Sequence, residues 1–133
     1  MRLLLDTNAY SALARGDDEA IATIRDADEL LLSVVVIGEL RYGFQYGRQV
    51  KQNESALADF MRRPFVTIVP VSDVTADRYA RIAYSLRRKG NPIPQNDVWI
   101  AAQAMEHGAS LVSFDKHFLS VDGLIVVMPN GGQ

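Results

Sequence analysis

Five short apolar runs, separated by stretches whose apolar residues recur at helical spacing, restrict this chain to a small set of folds. Arg2–Leu5, Leu30–Leu32, Thr67–Val69, Ser110–Ser113 and Leu124–Val127 are brief and bounded by polar or turn-forming residues, as buried strands are. Between them, helices are expected over Ser11–Ala14, Asp18–Asp26, Val34–Tyr46, Val50–Arg62, Thr75 to Gly90, and Gln95–His107. Ser33 is placed to cap the third of these and Thr75 the fifth. In that fifth helix Tyr79, Ile82, Ala83 and Leu86 share one face before Gly90 stops it. Strand and helix in alternation predict an α/β fold with a parallel sheet covered on both faces.

A chain of 133 residues that is 48% hydrophobic suits one domain, spanning 1–133, with a sizeable core. The first apolar run, Leu3-Leu4-Leu5, is interrupted at once by Asp6, so neither a membrane span nor a signal-peptide core is expected. The absence of cysteine excludes disulfides and thiolate metal sites and suits a cytoplasmic protein. With 14 basic and 16 acidic side chains the net charge is −2, which is not the basic body of a typical nucleic-acid binder. Any contact with nucleic acid must therefore be local.

Four acids stand where strands end and helices begin. Asp6 follows Leu3-Leu4-Leu5 directly, and Asp115 comes two residues after the strand ending at Ser113. Glu39 lies about one and a half turns past Ser33, with its side chain leaning back towards the start of its helix. Asp97 sits in a helical first turn, on the face it shares with Ile100, Ala101 and Ala104, immediately after the loop Gly90-Asn91-Pro92-Ile93-Pro94. In a parallel α/β sheet these positions lie at the carboxyl edge, where such folds gather their sites. Convergent carboxylates need raised pKa values or a divalent cation, and oxygen ligands without cysteine favour magnesium or manganese over zinc.

Taken singly, each acid has an ordinary explanation. Asp6 and Asp97 serve equally as helix caps or first-turn acids, Glu39 as an exposed acid paired with Arg41 or Lys51, and Asp115 as an Asx turn. Their coincidence at one predicted edge is what distinguishes them. His107, before Gly108 at a helix end, reads as a dipole-stabilised cation, and His117 as a surface residue near Asp115 that touches substrate at most. Arg41, Arg48 and Lys51, with Arg87-Arg88-Lys89, are candidates for flanking phosphates. Tyr42 is a candidate for base stacking, whereas Trp99 suits core or dimer packing.

Leu4-Leu5-Asp6-Thr7-Asn8, Glu39-Leu40-Arg41-Tyr42-Gly43, Asn96-Asp97 followed by Ile100-Ala101-Ala102, and Ser113-Phe114-Asp115 followed by Phe118 resemble, in order and spacing, the four motifs of the PIN domain. Within that family the chain is similar to VapC-type toxins. The resemblance implies an α/β/α sandwich around a mostly parallel sheet of about five strands, Mg2+- or Mn2+-dependent ribonuclease activity, a cognate antitoxin and a homodimer. It places Asp6, Glu39, Asp97 and Asp115 on the metal-binding carboxylates and Thr7, Asn96 and Ser113 in support. Asn8 is a further supporting candidate from its place beside them, and Arg41, Tyr42 and His117 are candidates for contact with the RNA from their own chemistry. Ser113 departs from the threonine more usual at its position. Two rival readings are a non-catalytic nucleic-acid-binding module and a phosphate-handling domain of the receiver or phosphatase kind. No motif acid is missing, which disfavours the first. Asn8 stands where a DxD pair would need an acid, which disfavours the second.

Overall fold

Leu3, Leu4 and Leu5 are each exposed by no more than 1%. Successive strand residues point to opposite faces, so such a run is stable only where both faces of the sheet are covered. The computed structural model describes residues 1–129, so the last four positions of the expected domain lie outside the described residues. Its elements run β1 (Arg2–Leu5), α1 (Thr7–Ala14), α2 (Asp18–Ile24), β2 (Glu29–Ser33), α3 (Val34–Phe44), α4 (Val50–Met61), β3 (Val66–Val69), α5 (Asp73–Lys89), α6 (Gln95–Glu106), β4 (Ser110–Val112) and β5 (Val126–Val127). A 3-10 turn, Lys116–Ser120, joins the last two strands. Among the described residues no helix is long and apolar enough to cross a membrane.

All five strands are parallel, in the spatial order β3-β2-β1-β4-β5. The chain lays down β1, β2 and β3 in one direction, then returns to place β4 on the other side of β1. The crevice at such a reversal, outside the carboxyl ends of the two central strands, is where open α/β sheets bind their ligands. Here it lies between β1 and β4, whose register sets Leu5 opposite Val112. The ladder runs one step further, Asp6 N–H donating to the Val112 carbonyl at 3.2 Å, so Asp6 and Ser113 leave the sheet side by side.

Local chemistry explains where the elements begin. Asp6 caps α1 by accepting from Ala9 N–H at 2.8 Å, so that helix starts at Thr7 rather than at the expected Ser11. Ser33 caps α3 as expected, accepting from Val35 N–H at 2.9 Å. Thr75 does not cap α5. Ser72 does, and Thr75 is the reciprocal member of a capping box whose hydroxyl accepts from Ser72 N–H at 3.0 Å. Gly90, at φ +77°, closes the same helix in the left-handed conformation. Val98, Ile100, Ala101, Ala102 and Ala104 are all buried, which makes α6 a core helix. Trp99 is half-buried and stacks on Tyr79 of α5 with ring centroids 4.1 Å apart, so it packs between the two helices at the edge of the core. The last two strands are shorter than expected: β4 stops at Val112, leaving Ser113 in the turn, and β5 keeps only Val126 and Val127.

Candidate active site

Because β1 and β4 are adjacent, the residues just past them share one cleft with the first turns of α1 and α6. Asp6, Thr7, Asn8, Glu39, Asp97 and Asp115 line a cavity of about 210 Å3 floored by Phe118. Asp6 is the deepest, exposed by 5%. Burial pushes its carboxyl above the usual aspartate range. The Ser113 hydroxyl and the Ala9 amide oppose that rise, and the charges of Asp97 and Asp115 add to it. Asp97 is raised in the same way, first by burial and then by Glu39 and Asp115, against the lowering influence of His117.

Asp6, Glu39 and Asp115 each accept a hydrogen bond from a protein donor. Glu39 accepts from Thr7 Oγ1 at 2.6 Å and from Asn96 Nδ2 at 3.3 Å. Asp115 caps the 3-10 turn through His117 N–H at 3.0 Å, and its own amide donates to the buried Ser113 hydroxyl at 2.9 Å. The His117 ring stands between two acids, Nε2 2.9 Å from Asp97 Oδ2 and Nδ1 3.0 Å from Asp115 Oδ1. Among the described residues no three acidic or imidazole side chains are arranged jointly around one point. The donor set nevertheless fits a hard divalent cation, being carboxylates with hydroxyl and amide support and no sulfur. Carboxylates made hard to ionise by burial and by one another carry the uncompensated charge that such a cation neutralises.

Residues 3–124 match the family model described as PIN domain. The chain belongs to the PIN-domain family. Ribonuclease VapC5 of Mycobacterium tuberculosis is 30% identical over 122 residues, covering 90% of this chain and 87% of that protein. A chain in the crystal structure of VapBC2 from Rickettsia felis, bound to a DNA fragment from its promoter, superposes with a TM-score of 0.84 at 27% identity. The match covers 96% of this chain and 98% of that one. VapBC-5 of Mycobacterium tuberculosis, a member of the VapBC family of toxin–antitoxin systems, matches with a TM-score of 0.69 at 28% identity over 96% of each chain.

All four acids of the PIN-type motifs therefore open onto one cleft, with Thr7, Asn8, Asn96 and Ser113 around them. His117 is more central than its sequence position suggests: Asp115, two residues earlier, caps the turn that aims the ring inward. Arg41 does not pair with Glu39. Its guanidinium faces Glu54 of α4 at 3.2 Å, while Tyr42 lies exposed with its hydroxyl 2.7 Å from that of Tyr46. Nor is the Arg87–Lys89 cluster free as a unit, since Lys89 pairs with Asp122 at 2.6 Å and Arg88 lies over the Tyr84 ring.

One supporting residue was not anticipated. Gln103, fully buried in α6, accepts from the Ser33 hydroxyl and donates to the carbonyls of Val69 and Pro70 at 3.2 and 3.1 Å. It fastens the helix carrying Asn96 and Asp97 to the start of α3, which carries Glu39. Its signal was one amide in the run Ile100-Ala101-Ala102-Gln103-Ala104.

Proposed function

We propose that this protein is a divalent-metal-dependent endoribonuclease, the toxin of a toxin–antitoxin pair. The observation that carries the reading is the meeting of Asp6, Glu39, Asp97 and Asp115 in one cleft at the sheet's reversal point. The names of the VapC relatives and the toxin–antitoxin assemblies among the structural neighbours support the RNA substrate and a cognate antitoxin. A homodimer belongs to the same reading.

Asp6, Glu39 and Asp97 are the residues that would hold Mg2+ or Mn2+, with the more exposed Asp115 at the rim. When bound, the cation supplies Lewis-acid polarisation of the phosphodiester and a water-derived nucleophile at neutral pH. The chain supplies the orientation. Ala9 N–H and Ser113 fix Asp6 at the floor, Thr7 and Asn96 fix Glu39 from two sides, and the imidazole of His117 keeps Asp97 and Asp115 apart. Hydrolysis by water leaves a 5′-phosphate and a 3′-hydroxyl and makes no use of the RNA 2′-hydroxyl as nucleophile.

The test is cleavage of total cellular RNA by antitoxin-free protein, with Mg2+ or Mn2+ against chelator, beside Asp97→Asn. Discrete metal-dependent products that vanish in the variant are expected. Intact RNA from folded, metal-loaded protein refutes the nuclease reading.

A further inference from the structure

An acidic cleft must still receive a polyanion, and the side chains around its mouth show where the neighbouring nucleotides can lie. Asn8 lines the acidic cleft on one side and, on the other, a second cavity of about 280 Å3 whose walls are Ala12, Arg15, Asp17 and Phe114. The two cavities are therefore contiguous across a single side chain. We infer that the second cavity is a nucleotide subsite of the same ribonuclease, in which Phe114 stacks a base and Arg15 holds a phosphate next to the scissile one. This inference rests on the nuclease reading proposed above.

Three observations carry it. Phe114 stands between Ser113 and Asp115, so its ring is set by the turn that builds the acidic site, yet it is 37% exposed instead of packed in the core. An open aromatic face beside a phosphoryl-transfer cleft is what single-stranded RNA binds by stacking, without needing a particular base. Arg2, Arg41, Arg62 and Arg81 each face a carboxylate. Among the described residues Arg15 faces none, and neither do Arg25, Arg48, Arg63, Arg78, Arg87 and Arg88; what sets Arg15 apart is its place in the wall of the cavity that adjoins the acidic cleft. Asp17, the acid nearest in this cavity, is committed to capping α2 through Ala20 N–H at 3.0 Å. Finally, Arg15 has a fixed base. Its amide closes α1 on the Ser11 carbonyl at 3.0 Å, and Gly16, at φ +79°, turns the chain away immediately after it. A guanidinium so placed supplies positive charge beside a pocket that is otherwise repulsive to phosphate.

The experiment uses the RNA fragment found by end mapping to carry the cleavage site, labelled at its 5′ end, with steady-state kinetics for wild type, Phe114→Ala, Phe114→Trp and Arg15→Gln in Mn2+. Phe114→Ala is expected to raise KM about tenfold while kcat stays within twofold, and Phe114→Trp to restore it. Arg15→Gln is expected to raise KM severalfold and to lower the slope of log KM against log salt by about 0.7, one phosphate contact on a single strand. Unchanged KM in both Phe114→Ala and Arg15→Gln, with wild type cleaving normally, overturns the subsite. So does a Phe114→Trp enzyme as impaired as Phe114→Ala, which would make the ring a packing element. If only inhibition by the antitoxin weakens while KM stays at the wild-type value, the cavity belongs to the antitoxin and the RNA assignment falls. Wild-type protein that leaves RNA intact fails the nuclease reading itself, a result visible before any variant is compared.

Discussion

Two polar clusters interrupt the core near the carboxyl edge of the sheet, and they are built on opposite principles. Around Gln103 nearly every hydrogen-bonding capacity is used: its carbonyl takes the Ser33 hydroxyl, its amide serves two backbone carbonyls, and Ser33 in turn caps α3. Around Asp6 the groups are acceptors crowding one another, with burial and like charge holding two carboxyls above their ordinary range. A satisfied network rigidifies, whereas an under-compensated one stores a demand for a ligand. The first cluster fixes where α3 and α6 stand. The second uses that placement.

The largest effect should come from the under-compensated cluster. Asp97→Asn removes one charge from the cleft and is expected to lower the cleavage rate about a thousandfold, roughly 4 kcal/mol of transition-state stabilisation, with the circular dichroism spectrum unchanged. Residual cleavage above a few per cent would show that the acids do not act together. The satisfied cluster should answer in stability instead. Gln103→Leu strands the Val69 carbonyl and the Ser33 hydroxyl in the interior and frees the more exposed Pro70 carbonyl, costing about 2–3 kcal/mol in urea unfolding at an unchanged m-value. A near-neutral result would mean that the network is dispensable.

Thr7→Val tests the boundary between the two behaviours, since it removes one of the two donors on Glu39 and leaves Asn96 in place. The rate should fall about fivefold, close to 1 kcal/mol, with little loss of stability. The last prediction reverses the usual sign of a mutation. Because burial holds the Asp6 carboxyl above its ordinary value when folded, the protonated form contributes stability in full below the unfolded pKa. That contribution is lost as pH rises through the higher folded value. In chelator at pH 7, Asp6→Asn keeps a capping side chain, drops the buried charge and should raise the melting temperature by a few degrees, on the order of 1 kcal/mol or less. The gain should shrink on acidification, and Mn2+ should stabilise wild type more than the variant. A variant less stable than wild type at pH 7 would show the carboxylate to be already compensated.

What the sequence revealed of this arrangement depended on how local the cause was. Leu3-Leu4-Leu5 and Leu30-Leu31-Leu32 state their strands within a few residues, and both strands sit where expected, as does the Ser33 cap; the helix after Asp6 begins earlier than expected, because Asp6 itself caps it. The start of α5 was misplaced because Ser72 and Thr75 are both competent caps, and only the reciprocal bonds of the capping box distinguish them. The roles of His117 and Gln103 were obscure for a different reason. Each acts on residues distant in sequence, Asp97 in one case and Ser33, Val69 and Pro70 in the other, so no spacing rule announces them. The same holds for Arg41, whose partner Glu54 lies on the following helix rather than on its own.

The pairing of Leu5 with Val112 also has a meaning in time. Chains are synthesised at about 5–20 residues per second, so several seconds separate the making of Asp6 from that of Asp97 and Asp115. Until β4 emerges and docks beside β1, a growing chain carries Asp6 and Glu39 without their opposing wall. The four-carboxylate cleft is therefore complete only when synthesis of the chain is nearly finished.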